Sequence, residues 1–189
     1  MGNGCYISQA AVEHTLVNKP PNDIILSFLL MALFLHTLLL SPALPTLMES
    51  DPGFLAALSE ARTGFVEGGV PIGACLVSAS GQILGQGHNM RVQKNSATLH
   101  AEISCLEDAG RLPGSQYKGA TIYTTLSPCD MCTGACVMFG VKRVVIGENE
   151  TFVGGEEYLK ERGVEVVVLE SNECRELMRR FVESKPEVW

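Results

Sequence analysis

Residues 120–147 read ATIYTTLSPCDMCTGACVMFGVKRVVIG, and the pattern changes twice along them. "ATIYTTL" is rich in β-branched and aromatic residues, which predicts a strand. "PCDMCTGACVMFG" opens on Pro128, suited to a first helical turn, and stops at Gly140, which predicts a helix between them. "VKRVVIG" returns to strand character. The alternation continues outward. Upstream, "PGFLAALSEARTGFVEGG" spaces Phe54, Leu55, Leu58, Ala61, Phe65 and Val66 as a helical stripe that ends at Gly68 and Gly69. "IGACLVSASGQILGQGH" reads as two short strands around a turn at Ser80 and Gly81, and "TLHAEISCLEDAG" as a helix stopped by Gly110. Downstream, "GEEYLKERG" predicts a short helix and "CRELMRRFVESK" a closing one. Between them "VEVVVLE" is a continuous apolar run, expected to be a strand buried on both faces. Strands alternating with helices predict a sheet covered on both sides, a three-layer α/β domain.

The chain has 189 residues, 46% hydrophobic and 19% charged, which suffices for a full core. Its net charge is −7, and no run of basic residues appears. Phosphate-backbone binding needs clustered Lys and Arg, so a large nucleic-acid surface is not expected. A small neutral substrate suits this balance. The cysteines number seven and show no secreted-framework spacing, which points to a reducing compartment, the cytoplasm or nucleus. Cys75, Cys105 and Cys174 lie among apolar or helical neighbours and read as small core fillers.

The first 48 residues differ from the rest. Ile24 to Leu40, "IILSFLLMALFLHTLLL", is 17 residues without a charge. At 1.5 Å per residue it spans about 25 Å, the lower limit for crossing a bilayer. Upstream stand only Lys19 against Glu13 and Asp23, without the basic flank of a secretory signal. Two readings stand: a membrane anchor, or an extension outside the working protein. Residues 1–48 are therefore set apart as a hydrophobic extension and 49–189 as the globular domain.

Cys129 and Cys132 lie at i and i+3, so on a helix they face the same way. At a helix start their sulfurs meet the positive end of the dipole and unpaired N–H groups, both of which favour thiolate. That state binds zinc. Two thiolates need a further ligand, and His100 in "HAE" is the candidate, 29 residues upstream. A helix and a strand fit in that gap and return the chain to the same edge of the sheet, where open α/β sheets place ligands. One imidazole and two thiolates leave a fourth tetrahedral position open, which marks a catalytic rather than structural zinc. Glu102 stands two residues from His100, off its helix face, close to the metal without needing to bind it. A carboxylate there suits proton transfer. A redox CxxC pair and a closed site using Cys136 as fourth ligand are the plainer readings. Cys136 lies about 6 Å further along the helix axis than Cys132, too far for a Zn–S bond of about 2.3 Å, and reads as core. His88 reads as a satisfied strand-end histidine. Asn89, which follows it, reads from sequence as a left-handed turn residue.

His-x-Glu followed downstream by Pro-Cys-x-x-Cys is a signature of zinc nucleobase deaminases. With "EGGVPIGACL", "GHNMR", "SATLHAEISCLE", "YTTLSPCDMCTGA" and "GENETF", the sequence from Phe54 to Trp189 resembles the fungal cytosine deaminases of the cytidine-deaminase-like superfamily. The resemblance implies an α/β/α sandwich with a central mixed sheet of about five strands. It implies one Zn²⁺ held by His100, Cys129 and Cys132, hydrolysis of cytosine or 5-fluorocytosine at C4, and Glu102 as the residue that protonates N3 and helps the amino group leave. It also implies that Asn89, the Ala101 N–H and the Ser127 carbonyl read the base's edges. Phe152 and Trp189 would cover its face, and Ile72 would wall it. The family commonly forms homodimers. Its chain runs a few residues past the tryptophan, to an acidic residue at the substrate, whereas this sequence ends at Trp189.

Three functions are weighed: cytosine deamination in pyrimidine salvage, adenosine deamination on tRNA by a member of the same superfamily, and a non-catalytic zinc module tethered to a membrane. The dispersed Arg91, Lys94, Lys142 and Arg143 argue against tRNA, since an RNA fold needs a basic face.

Overall fold

In the computed structural model, which describes residues 48–189, Asp51 caps the helix that follows it. Its carboxylate accepts from the Gly53 N–H at 2.8 Å, and Pro52 takes the first turn. Helix α1 (Pro52–Val66) follows, and the chain turns out of it through Gly68 at φ +83°. Strands β1 (Gly73–Val77) and β2 (Ile83–His88) form a hairpin. Then come α2 (Ala101–Ala109), a single turn α3 (Gly114–Tyr117), and β3 (Thr121–Leu126). Helix α4 (Asp130–Phe139), β4 (Arg143–Glu148), α5 (Glu156–Glu161), β5 (Glu165–Val168) and α6 (Asn172–Ser184) complete the order.

The five strands lie in the order β2-β1-β3-β4-β5. β1 pairs antiparallel with β2 and β3, while β3–β4 and β4–β5 are parallel. Successive strand residues point to opposite faces. Ala74, Leu76, Ile122, Val144 and Ile146 pack against α2, α3, α4 and α5 through Cys105, Leu106, Tyr117, Cys136 and Leu159. Cys75, Tyr123 and Val145 take the other face, against Phe54, Ala57, Leu58 and Ala61 of α1 and Cys174 and Leu177 of α6. This is the mixed-sheet α/β/α sandwich expected from the sequence. Full burial of a Phe or Leu side chain contributes about 1.5–3 kcal/mol. Phe54 on one side and Leu76 on the other, 1% and 0% exposed, anchor the two layers. Helix α1 approaches β1 so closely that a Cβ at Gly73 would lie 2.0 Å from the Ala57 carbonyl oxygen.

This topology decides where the site forms. Gly73 at the start of β1 pairs with His88 at the end of β2. Leu126 at the end of β3 pairs with Glu148 at the end of β4. Because β1 runs antiparallel to β3, Ile72, Asn89, Ser127 and Asn149 all leave the sheet at one edge.

Several expectations need correction. "VEVVVLE" is not buried on both faces: β5 is an edge strand and Val166, Val167 and Val168 are half-buried. An apolar run records burial but not strand order. In α1, Leu55 and Val66 are exposed, and Ala57 belongs to the buried stripe instead. The site helices begin at Ala101 and Asp130, after His100 and Cys129 rather than on His100 and Pro128. Along α4, Met138 is exposed, while the Phe139 ring packs tilted against Tyr117 at a centroid distance of 4.8 Å. Residues 1–47, with the apolar stretch Ile24 to Leu40, fall outside the described residues. Among the described residues, no helix is long and apolar enough to cross a membrane.

Candidate active site

Both helices that face the sheet edge start on a metal-ligand type. His100 is the N-cap of α2 and Cys129 the N-cap of α4, each with extended backbone and neither spending its side chain on a cap hydrogen bond. The first N–H groups of a helix have no intrahelical partner. The capping geometry thus frees two side chains and aims positive helix ends at them.

The donor atoms of His100, Cys129 and Cys132 all lie within 4.8 Å of one another. Cys129 Sγ is 3.4 Å from His100 Nδ1. A tetrahedral zinc, with Zn–S near 2.3 Å and Zn–N near 2.0–2.1 Å, spaces such atoms about 3.5–3.8 Å apart. The set therefore fits one Zn²⁺. Among the described residues no other His, Cys, Asp or Glu group gathers in this way. Cys136 is outside it, 1% exposed in the core, so among the described residues no fourth cysteine closes the site. Burial pushes the Cys136 thiol up.

The two site cysteines are pushed in opposite directions. The Cys132 thiol and then His100 donate to Cys129, holding it at about 3 against the opposing effect of burial. Cys132 is raised by that same bond to Cys129 and by burial. His100 is raised, first by its bond to Cys129. Zinc binds thiolate and neutral imidazole, so its binding by these residues releases protons.

Glu102 is in the first turn of α2 and only 4% exposed. Burial raises its carboxyl, opposed by its own backbone N–H and by the adjacent Cys132 side chain. The Thr124 hydroxyl donates to Glu102 Oε1 at 3.2 Å and to the Leu126 carbonyl at 3.1 Å. Glu102 is thus held at the sulfur pair without belonging to the ligand group.

A cavity of about 360 Å³ opens in front of these residues. His100, Cys129 and Glu102 line it, as do Ile72, Asn89, Ser127, Phe152 and Trp189. Ala101 is fully buried at the start of α2, between two lining residues. Every site residue singled out from the sequence therefore lies at or beside one place. Asn89 is 2% exposed, and its Oδ1 accepts from the Arg91 N–H at 3.1 Å. It does not adopt the positive φ of a left-handed turn, which among non-glycine described residues belongs to Asn95 and Glu170. Phe152 and Trp189, 40% and 45% exposed, form the rim. His88 is satisfied as expected: its ring nitrogens face Glu60 and Glu67 of α1 and its C-cap at 2.7 and 3.0 Å. Val70, Arg91 and Leu126 also line the cavity and were not anticipated. Leu126 was discoverable as the last strand residue before Ser127. Val70 carries no local signal.

An α/β/α sheet with a three-donor zinc group beside a buried carboxylate defines a zinc-dependent hydrolytic class. The family model described as the cytidine and deoxycytidylate deaminase zinc-binding region matches residues 49–148, and the chain belongs to that family. Among curated relatives, cytosine deaminase of Candida albicans is 57% identical over 141 residues, covering 75% of this chain and 94% of the relative. A tRNA-specific adenosine deaminase of Bacillus subtilis is 41% identical over 92 residues, 48% of this chain and 56% of that protein. Among solved structures, a tRNA:A34 deaminase superposes with a TM-score of 0.57 at 30% identity, covering 66% of this chain and 97% of the other. A guanine deaminase of Nitrosomonas europaea superposes at 0.58 with 23% identity, covering 70% and 84%, a likeness of fold.

Proposed function

We propose that this chain hydrolyses free cytosine to uracil and ammonia. The observation that carries the reading is the His100, Cys129 and Cys132 group at a cavity of about 360 Å³ into which, among the described residues, the buried Glu102 brings the one acidic side chain. Likeness to the Candida albicans cytosine deaminase along nearly all of that protein's length supports the choice of base.

The residues divide the work. His100, Cys129 and Cys132 hold the Zn²⁺, which when bound supplies Lewis acidity that makes water nucleophilic near neutral pH. The Asn89 amide and the Ala101 N–H donate to the C2 carbonyl of the base. The Ser127 carbonyl accepts from its 4-amino group. Phe152 and Trp189 cover the ring and Ile72 walls it, which excludes bulk water. Glu102 takes a proton from the attacking water and delivers it to N3. It then carries the second water proton to the departing amino group, so cytosine and water leave as uracil and ammonia. Its raised pKa suits a group that must hold and release a proton in turn.

The reading takes residues 49–189 as the deaminase domain, working in the cytoplasm as a homodimer. The free state of all six described cysteines supports a reducing compartment. Exposed Met131 and Met138 on α4 suit contact with a second copy. Anchoring through Ile24 to Leu40 is the alternative.

Ammonia release from cytosine, cytidine, adenine and a tRNA anticodon stem-loop tests the reading. Turnover is expected on cytosine first. Preference for the stem-loop, with binding that weakens steeply as salt rises, would transfer the chain to the tRNA reading.

A further inference from the structure

Residues 149–155 connect β4 to α5 and carry Phe152 to the cavity rim. They are fastened at buried points. Glu148 Oε2 accepts from the N–H groups of Glu150 and Thr151 at 2.7 and 3.0 Å. Glu156 Oε1 accepts from the Ser127 hydroxyl at 2.8 Å and from Asn149 Nδ2 at 3.1 Å. That Nδ2 also lies 3.4 Å from Oε2. Ser127 Oγ accepts from the Gly154 N–H at 3.0 Å, and the Pro128 carbonyl accepts from the Gly155 N–H at 2.9 Å. Ser127 and Glu156 are 3% and 6% exposed. The approach is close: a Cβ at Gly154 would lie 1.9 Å from the Pro128 oxygen.

The Ser127 hydroxyl is thus used in both directions, giving its proton to Glu156 and accepting one from the loop. A buried carboxylate is costly unless hydrogen-bonded, and here its partners sit on both sides of the cavity rim. We propose that Glu156 is a positioning residue for the deamination, setting Phe152 over the base by tying the 149–155 loop, through Ser127 and Asn149, to the segment that carries Cys129. This rests on the reading above that the cavity takes a flat base.

Glu156→Gln keeps the length and loses an acceptor. Its new NH₂ meets either the Ser127 hydroxyl or the Asn149 amide donor against donor. KM for cytosine is expected to rise about tenfold, as for loss of a hydrogen bond to a charged group. kcat should change far less, and zinc should stay at one per chain. Amide exchange at Thr151 and Gly154 should accelerate. The exposed neighbour variant Glu157→Gln should leave all four readings unmoved. Should Glu156→Gln not fold, Ser127→Ala carries the same measurements. An unchanged KM with unchanged exchange overturns the proposal. So does loss of zinc and kcat together with KM unmoved, which would make Glu156 a support of the fold alone. A wild-type chain inert on cytosine sinks the substrate reading instead, and the exchange measurement then decides the clamp by itself.

Discussion

Replacing Glu102 with Gln separates proton transfer from metal binding in one atom's change. Gln has the same shape and still accepts from Thr124, which lies 3.2 Å from Glu102 Oε1. It cannot exchange a proton with substrate. General acid–base catalysis contributes about 10²–10⁴ in rate. Among the described residues no second acidic side chain lines the cavity to substitute for it, so the loss should reach the upper end, about 10⁴ in kcat or about 5 kcal/mol. Zinc should remain at one per chain, since Glu102 is outside the ligand group. Stability gives an independent check on the metal-free chain. Burial raises the folded pKa of Glu102, so the folded state holds its proton to higher pH than the unfolded state. Stability from this group is present below the unfolded pKa and declines as pH rises through the folded one. The Gln variant should lack that decline. Steady-state ammonia release, elemental zinc analysis and thermal unfolding at several pH values read the three effects. A variant that keeps zinc and retains more than about a tenth of wild-type kcat would refute the reasoning, because no positioned proton carrier contributes so little.

Other outcomes follow from the same geometry. Cys132→Ser should lose stoichiometric zinc, whereas Cys136→Ser, altering a core position, should keep zinc and lower only the melting temperature; elemental analysis with calorimetry distinguishes them. Zinc affinity should fall as pH falls, because the bond from Cys132 to Cys129 holds a proton that metal must displace; competition with a chelating dye across pH, with proton release followed calorimetrically, measures this. Asn89→Asp should keep the bond from the Arg91 N–H but place a carboxylate at a 2%-exposed position, so it should fold with a lowered melting temperature. It should also lose about tenfold to a hundredfold in kcat/KM, since an acceptor then faces the C2 carbonyl where a donor is required.

The sequence made the layers legible because strands and helices bury residues at different periods, and 120–147 shows both. It made the metal group legible because His100 and Cys129 each open a helix at the same edge of the sheet. Strand order was not legible, so the apolar β5 passed for a central strand when it lies at the edge. Local reasoning also missed Asn89: a polar residue after a strand-end histidine looks like a turn, and only pairing of Gly73 with His88 brings it to the cavity. The ties among Ser127, Asn149 and Glu156 left no local signal, because they depend on two parallel strands ending level with each other.

The most direct test of the account is conversion of free cytosine as the metal-free chain is titrated with zinc. Uracil and ammonia should appear in equal amounts, at a rate that climbs in proportion to added zinc and levels off at one ion per chain. A chain carrying its full ion that leaves cytosine intact would contradict the account.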